Sequence, residues 1–222
     1  MGNRESAYQG IVDRIRAAER EREGRSGERR PVRLVAVSKR QSVEAIAGLA
    51  DLGQRDFGEN YLQEALDKQE ALAGRDLVWH FIGPIQSNKT RAIAAHFDWV
   101  HSVDRLKLVR RLGEQRDPTR GPLNVLVQVN VDDEASKSGV RPEAVPEMVA
   151  AFADQPALRL RGLMCIPRPG NTAAFRQLAE INAALPSPLP DLSMGMSGDF
   201  EEAIAEGATI VRIGTALFGA RD

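Results

Sequence analysis

The chain has 222 residues and a formal net charge of −1, with 42% hydrophobic and 27% charged residues. This composition is typical of a globular protein, excludes a disordered chain or a fibre, and gives no general attraction to nucleic acid or to an anionic membrane. No run approaches the roughly 18 apolar residues of a membrane span, and the first residues lack the apolar core of a signal peptide. Since the lone Cys165 excludes an intramolecular disulfide, we expect a cytoplasmic protein.

The first predicted element is an amphipathic helix at residues 3–23, and the mixed charge run at residues 20–30 is typical of a solvated loop. From residue 32 onward, strand-like segments alternate with helix-like segments. The predicted strands are 33–38, 56–58, 78–82, 99–102, 124–130, 160–165, 192–194 and 209–213. The predicted helices are 43–52, 61–73, 89–96, 105–116, 143–154, 173–185 and 200–206.

This alternation implies parallel strands joined by right-handed crossovers. We therefore predict an α/β fold, a (β/α)8 TIM barrel that forms a single domain over residues 1–222 with an extra N-terminal helix. An open doubly wound sheet is the alternative. That fold would require a glycine-rich turn after the first strand, where this sequence has Ser38-Lys39-Arg40-Gln41.

Lys39 follows the first predicted strand, whose alternation places Val35, Val37 and Lys39 on one face. If this face points into the barrel, the lysine amine lies at the barrel mouth. Apolar surroundings disfavour the charged form of an amine, and a neutral amine can attack a carbonyl to form a Schiff base. The alternative is a solvated lysine whose stem covers apolar surface.

Two glycine-rich stretches, residues 195–198 and 214–216, follow the seventh and eighth predicted strands. Glycines let backbone amides approach an anion, and the loops after these two strands hold phosphate in many barrels. We therefore predict a phosphate site there. The alternative is a pair of tight turns, which Asp199 favours because its carboxylate could itself occupy the N-terminus of the next helix.

Arg212 lies on the last predicted strand. The outer face of a barrel strand packs on helices, so Val211 and Ile213 should face outward and Arg212 inward. A buried guanidinium keeps its charge and needs an acceptor. That acceptor is either a ligand or an internal carboxylate such as Glu59.

A Schiff-base lysine, a phosphate cradle and a fixed cationic donor together match pyridoxal 5′-phosphate (PLP). This cofactor has an aldehyde for the lysine, a phosphate for the loops and a ring nitrogen that needs a partner. We therefore expect PLP as the cofactor. The histidines show no H-E-x-x-H spacing, so no metal site is predicted.

Seven segments of the chain carry a family resemblance: LVAVSK, DFGENYLQE, WHFIGPIQSNK, VNVDDEASKSG, RLRGLMCIP, LSMGMSGDFEEAI and VRIGTALFG. They resemble the pyridoxal phosphate homeostasis proteins, the YggS/PROSC family, which is related to the N-terminal barrel of alanine racemase. The resemblance extends from about residue 8 to the end. Many relatives have proline where this chain has Ser42, a difference that concerns the stiffness of the loop after Lys39.

The resemblance implies roles for individual residues. Lys39 would carry the cofactor as an aldimine, and Arg212 would face the pyridine nitrogen. The phosphate would be held by Ser197, Gly214 and Thr215. Four more residues would line the cofactor pocket: Asn60, His80, Ser102 and Met194.

The expected function is PLP binding in intracellular PLP homeostasis without robust catalytic turnover. An arginine at the ring nitrogen supplies no transferable proton, which leaves the ring a weak electron sink. The racemases that this barrel resembles use a tyrosine of a second domain, and we expect no such domain here. Tyr61 follows Asn60 at the start of a helix, where packing is its expected role. We expect a monomer that can pass PLP to apoenzymes.

Two alternatives remain open. A PLP-dependent, racemase-like enzyme would turn over an amino acid slowly and would need Lys39. A Schiff-base aldolase acting on a phosphorylated substrate would use the same lysine and loops without a cofactor, and the protein would be colourless. No nucleic-acid or membrane partner is expected.

Overall fold

The computed structural model describes residues 2–27, 29–134 and 138–219, with side chains from residue 4 onward. In this part of the chain, eight parallel strands follow one another around a closed barrel, and the last strand pairs with the first. The strands are β1 (Arg33–Val37), β2 (Asp56–Glu59), β3 (Val78–Phe81), β4 (Trp99–Val103), β5 (Leu123–Gln128), β6 (Leu158–Met164), β7 (Asp191–Ser193) and β8 (Ile210–Ile213). The predicted TIM barrel is confirmed.

Helices follow the strands and cover the outside of the barrel. Within the described ranges they are α1 (Gly2–Ser26), α2 (Val43–Asp51), α3 (Leu62–Ala71), α4 (Thr90–His96), α5 (Leu106–Gln115), α6 (Val145–Ala150), α7 (Ala173–Ala183), α8 (Phe200–Ala205) and α9 (Thr215–Phe218). None of these helices is long and apolar enough to cross a bilayer. Residues 135–137 of the VNVDDEASKSG segment, and the predicted domain ends at residues 1 and 220–222, lie outside the described residues.

The barrel separates two apolar layers. A large core lies between the outer faces of the strands and the helices, and it includes Val211 and Ile213. A small cluster fills the barrel interior: Val35, Trp99, Leu126, Met164 and Ile210. Val35 pairs in register with Arg212, so both side chains point inward, as the alternation predicts.

Helix α1 is longer than predicted. It continues to Ser26, so the prediction of a loop from residue 20 is wrong for the first part of the charge run. The reason is Arg22, which is buried and donates a hydrogen bond to the carbonyl of Ala208 at 2.7 Å. This contact holds the end of α1 against the turn between α8 and β8, and α1 also packs along α8 and α9.

The last helix was not predicted. After β8, the carbonyl of Gly214 accepts hydrogen bonds from the amides of Leu217 (2.9 Å) and Phe218 (3.0 Å), so the second glycine-rich stretch folds into α9. Other boundaries also differ from prediction; for example, β5 ends at Gln128 and α6 covers only Val145–Ala150 after a short 3₁₀ turn. These differences leave the order of the barrel elements unchanged.

Candidate functional site

Lys39 lies in a tight turn directly after β1. The amide of Gln41 donates to the carbonyl of Ser38 at 3.0 Å, which makes Lys39 and Arg40 the two central residues. Arg40 has a φ of 61°, in the left-handed region that turns of this kind usually fill with glycine. A non-glycine residue held there stores strain, so the surrounding contacts must impose the conformation.

A buried ionic cluster holds the residue before Lys39. Lys68 of α3 donates hydrogen bonds to the carbonyl of Ser38 (2.7 Å), to Oε1 of Glu59 (2.8 Å) and to Oε1 of Glu64 (2.5 Å). The hydroxyl of Ser38 also donates to Oε1 of Glu59 at 2.7 Å. All three protons of the ammonium group are therefore engaged. We call Lys68, Glu59 and Glu64 the turn clamp.

The turn clamp also holds the residue after Lys39, because the amide of Arg40 donates to Oε1 of Glu64. Both neighbours of Lys39 are thus fixed by α3 and the end of β2. Glu59 has no exposed surface, and this burial raises the pKa of its carboxyl group above the ordinary value.

Ser42 begins α2 as a capping residue. Its hydroxyl accepts a hydrogen bond from the amide of Ala45 at 3.2 Å, as serine does at many helix N-termini. The loop after Lys39 is therefore attached to α2 by a side-chain cap at the position where many relatives were expected to have proline.

A cavity of about 270 Å³ opens at the mouth of the barrel between β1, β7 and β8. The residues lining it are Val37, Lys39, Gln41, Met196, Ser197, Gly198, Arg212, Gly214, Thr215 and Gly219. It brings together five predicted site residues: Lys39, Ser197, Arg212, Gly214 and Thr215. That these five bind a cofactor stays a prediction.

Arg212 is only 4% exposed and points from β8 toward the cavity. Its Nη1 donates to the hydroxyl of Ser193 at 2.6 Å, and its Nη2 donates to the carbonyl of Cys165 at 2.8 Å. Within the described ranges no carboxylate forms an ion pair with it, and Glu59 pairs with Lys68 instead. Burial lowers the pKa of the guanidinium, which nevertheless remains charged. The cavity therefore contains a buried cation without a counterion among the described side chains.

The first glycine-rich loop requires its glycine. Gly195 has a φ of 90°, and a Cβ atom there would lie 2.6 Å from the Cβ of Ala203. The two loops approach each other where the amide of Ala216 faces the hydroxyl of Ser197 at 3.5 Å. The carboxylate of Asp199 accepts the amide of Met196 at 2.6 Å. One amide of this loop is therefore occupied internally, but Asp199 does not make the side-chain hydrogen bond to the N-terminus of α8 that the tight-turn alternative anticipated.

The other four predicted pocket residues do not line this cavity: Asn60, His80, Ser102 and Met194. Met194 is buried in the core outside the barrel, and the hydroxyl of Ser102 donates to the carbonyl of Gly83. His80 lies in the barrel interior with both ring nitrogens hydrogen-bonded. The amide oxygen of Asn60 is buried and has no hydrogen-bond partner among the described residues. Contact of these four with a cofactor stays a prediction.

Two features of the site were missed from the sequence. No role was predicted for Lys68, although its spacing of four from Glu64 is a usable signal. The sequence alone also gives no indication that Ser193 and His101 meet. Among the described side chains, no three His, Cys, Asp or Glu residues come together as candidate metal ligands.

Sequence comparison places the chain among known proteins. The profile of the alanine racemase N-terminal domain matches residues 13–222. A pyridoxal phosphate homeostasis protein of Pseudomonas aeruginosa is 60% identical over 86% of this chain and 85% of its own length, and that of Escherichia coli K12 is 51% identical over 96% and 94%. The chain belongs to the pyridoxal phosphate homeostasis protein family. The predicted family is confirmed.

A solved structure supports this family assignment. PipY of Synechococcus elongatus, in a structure with PLP bound, is 38% identical and superposes with a TM-score of 0.77 over 91% of this chain and 99% of PipY. The barrel is therefore that of the pyridoxal phosphate homeostasis protein family, and its similarity to PipY extends over nearly the whole chain.

Proposed function

We propose that this chain binds PLP in the cavity at the barrel mouth and acts in intracellular PLP homeostasis without robust turnover. In this proposal it is a cytoplasmic monomer with a single domain, and PLP-requiring apoenzymes receive the cofactor from it. The observation that carries the proposal is that Lys39 and the buried Arg212 line the same cavity, together with residues of both glycine-rich loops. The names of the relatives and the PLP-bound structure of PipY support it.

The residues at the cavity fit the chemistry of PLP. Bound PLP supplies an aldehyde that bonds covalently to an amine and a ring that accepts electrons. Among the described residues, no side chain forms a hydrogen bond or an ion pair with Nζ of Lys39, so the amine is available. Arg212 offers its charge to the ring nitrogen, and Ser197, Gly214 and Thr215 offer hydroxyls and amides to the phosphate.

Two observations favour a carrier over a racemase. A two-base racemase needs a proton carrier on each face of the substrate carbon, and among the described lining residues Lys39 is the one side chain that readily exchanges a proton, which leaves a one-base or water-assisted mechanism as the enzyme alternative. Arg212 donates hydrogen bonds but does not give up its proton. The chain is therefore better suited to hold a reactive aldehyde than to racemise an amino acid by a two-base mechanism.

A PLP titration followed by visible absorption tests this function. We expect the wild-type protein to bind PLP and turn yellow, and Lys39→Ala to lose the band of the covalent adduct. Lys107→Ala is the matched control, because this exposed lysine of α5 lies outside the cavity. A colourless wild-type protein that takes up no PLP would contradict the proposal and favour the aldolase. Steady racemisation of an amino acid that depends on Lys39 would favour the enzyme.

A further inference from the structure

A continuous chain of side-chain hydrogen bonds crosses the barrel interior below the cavity. Nη1 of Arg212 lies 2.6 Å from Oγ of Ser193, which lies 2.9 Å from Nδ1 of His101. Nε2 of His101 lies 2.9 Å from Nδ1 of His80, and Nε2 of His80 lies 2.9 Å from Oδ1 of Asp56. We call these five residues the interior relay. It joins the cavity to the first residue of β2, at the opposite end of the barrel.

The three central residues of the interior relay are removed from solvent. Ser193, His80 and His101 have no exposed surface. A buried polar atom without a partner is costly, and here both ring nitrogens of both histidines are paired. The positions of these side chains are therefore mutually dependent.

The two ends of the interior relay fix the direction of every hydrogen bond. The guanidinium of Arg212 can only donate, so the oxygen of Ser193 accepts, and its single proton goes to Nδ1 of His101. A neutral His101 then carries its proton on Nε2 and donates to Nδ1 of His80. His80 in turn carries its proton on Nε2 and donates to the carboxylate of Asp56. All four bonds are made with both imidazoles neutral.

The opposite direction requires a charged histidine. If His101 donated to Ser193, either His101 would donate from both ring nitrogens, or His80 would donate to both His101 and Asp56, and the histidine that donates twice is an imidazolium. His80 is fully buried and stacks on Trp99 with ring centroids 5.5 Å apart. The carboxylate of Asp56 already forms an ion pair, since Nη1 of Arg33 lies 2.5 Å from its Oδ1. Burial also lowers the pKa of both imidazoles, which favours the neutral forms.

We propose that Ser193, His101 and His80 are positioning residues that anchor the guanidinium of Arg212 to Asp56 through hydrogen bonds of one fixed direction. Arg212 then presents the same donor geometry to the cavity whether or not a ligand is there. The direction of the bonds is a property of the protein alone. Only the effect on bound PLP rests on the proposed function.

The first test uses wild-type protein without added PLP. Long-range ¹H–¹⁵N spectra of protein labelled in its three histidines report which ring nitrogen carries the proton. At pH 7.5 we expect His80 and His101 to be neutral with the proton on Nε2, while the exposed His96 provides a solvent reference. An imidazolium at His80, or a proton on Nδ1 of His101, would overturn the proposal.

The second test removes the central hydroxyl. Ser193→Ala breaks the interior relay between Arg212 and His101, and the matched control Ser187→Ala changes an exposed serine. Without this bond the guanidinium has to be ordered when PLP binds, so PLP binding should weaken by roughly two- to tenfold and the absorption band should shift. The proton of His101 should stay on Nε2, because Asp56 still fixes the direction of the bonds through His80. The control should behave as wild type.

The outcomes separate the two proposals. If wild-type protein binds no PLP, the proposed function fails, while the histidine spectra still decide the direction of the interior relay. If Ser193→Ala folds and binds PLP with wild-type affinity and an unchanged absorption band, the positioning role is refuted. If the variant does not fold, the wild-type spectra remain a complete test of the bond directions.

Discussion

Replacement of Lys68 by methionine tests the turn clamp most severely. The side chain of Lys68 is 6% exposed, and it supplies the cation for Glu59, whose side chain is fully buried. Methionine preserves the apolar stem but removes the charge and its three hydrogen bonds. Breaking a buried ion pair from one side typically costs about 3–5 kcal/mol, because it leaves an uncompensated charge.

Glu59 can avoid that charge by binding a proton, which sets an upper limit to the cost. Protonating a glutamate whose ordinary pKa is ~4.3 costs about 1.4 kcal/mol for each pH unit above that pKa, or roughly 3.7 kcal/mol at pH 7. In the variant the folded state then binds one more proton than the unfolded state, so stability decreases as pH rises. The stability difference between Lys68→Met and wild type should therefore shrink by about 1.4 kcal/mol per unit between pH 7 and pH 5.5.

Urea unfolding at pH 7 and pH 5.5 measures this difference. Lys107→Met is the matched control, since it is an exposed helical lysine, and it should change stability by less than about 0.5 kcal/mol. The double variant Glu59→Gln with Lys68→Met removes both charges and should recover most of the loss. A loss that is the same at both pH values, or a double variant no better than the single one, would refute the electrostatic explanation.

Three further predictions rest on single features. Burial lowers the pKa of His80 and His101, so the unfolded state binds more protons than the folded state below pH ~6.5. The free energy of unfolding, measured with urea, should therefore fall between pH 6.5 and pH 5.5 by up to roughly 1.4 kcal/mol for each histidine. An unfolding midpoint that stays constant over this range would contradict the prediction. Gly162→Ala would place a Cβ 1.7 Å from a backbone oxygen of β7, so it should lower the free energy of unfolding by more than about 3 kcal/mol or prevent folding. Gly10→Ala, which has open space in α1, should instead raise the free energy of unfolding by about 0.5–1 kcal/mol. Burial raises the pKa of Cys165 to about 12, so its thiol should react with a disulfide reagent at pH 8 only after unfolding.

The barrel was predictable because its signal is local. Most strands appear in the sequence as short apolar runs and most helices as longer periodic segments, and parallel pairing follows from their alternation. The same rule brings Lys39 and Arg212 together, because β1 and β8 become neighbours when the barrel closes. The position of the glycine-rich loops at the barrel mouth follows from the order of the strands. Lys39, Arg212 and these loops could therefore be placed together without knowledge of side-chain packing.

The contacts of the residues around Lys39 and Arg212 were not predictable, because these contacts depend on strand register and on packing between elements that are distant in the sequence. His80 and His101 are separated by 21 residues, and their contact arises from the stagger of β3 and β4. Lys68 is buried only because α3 packs over the turn that follows β1. Arg22 finds its carbonyl acceptor 186 residues further along the chain. In each case a charged or polar residue that is solvated by default acquires its role from the tertiary structure.

The central claim is that Lys39 is the attachment point of PLP, and chemical trapping tests it most directly. Protein loaded with PLP is reduced with borohydride, digested and mapped by mass spectrometry. We expect the adduct on Lys39 and unmodified side chains at Lys68, Lys89 and Lys107. An adduct spread over the surface lysines, or a single adduct elsewhere than Lys39, would contradict the account.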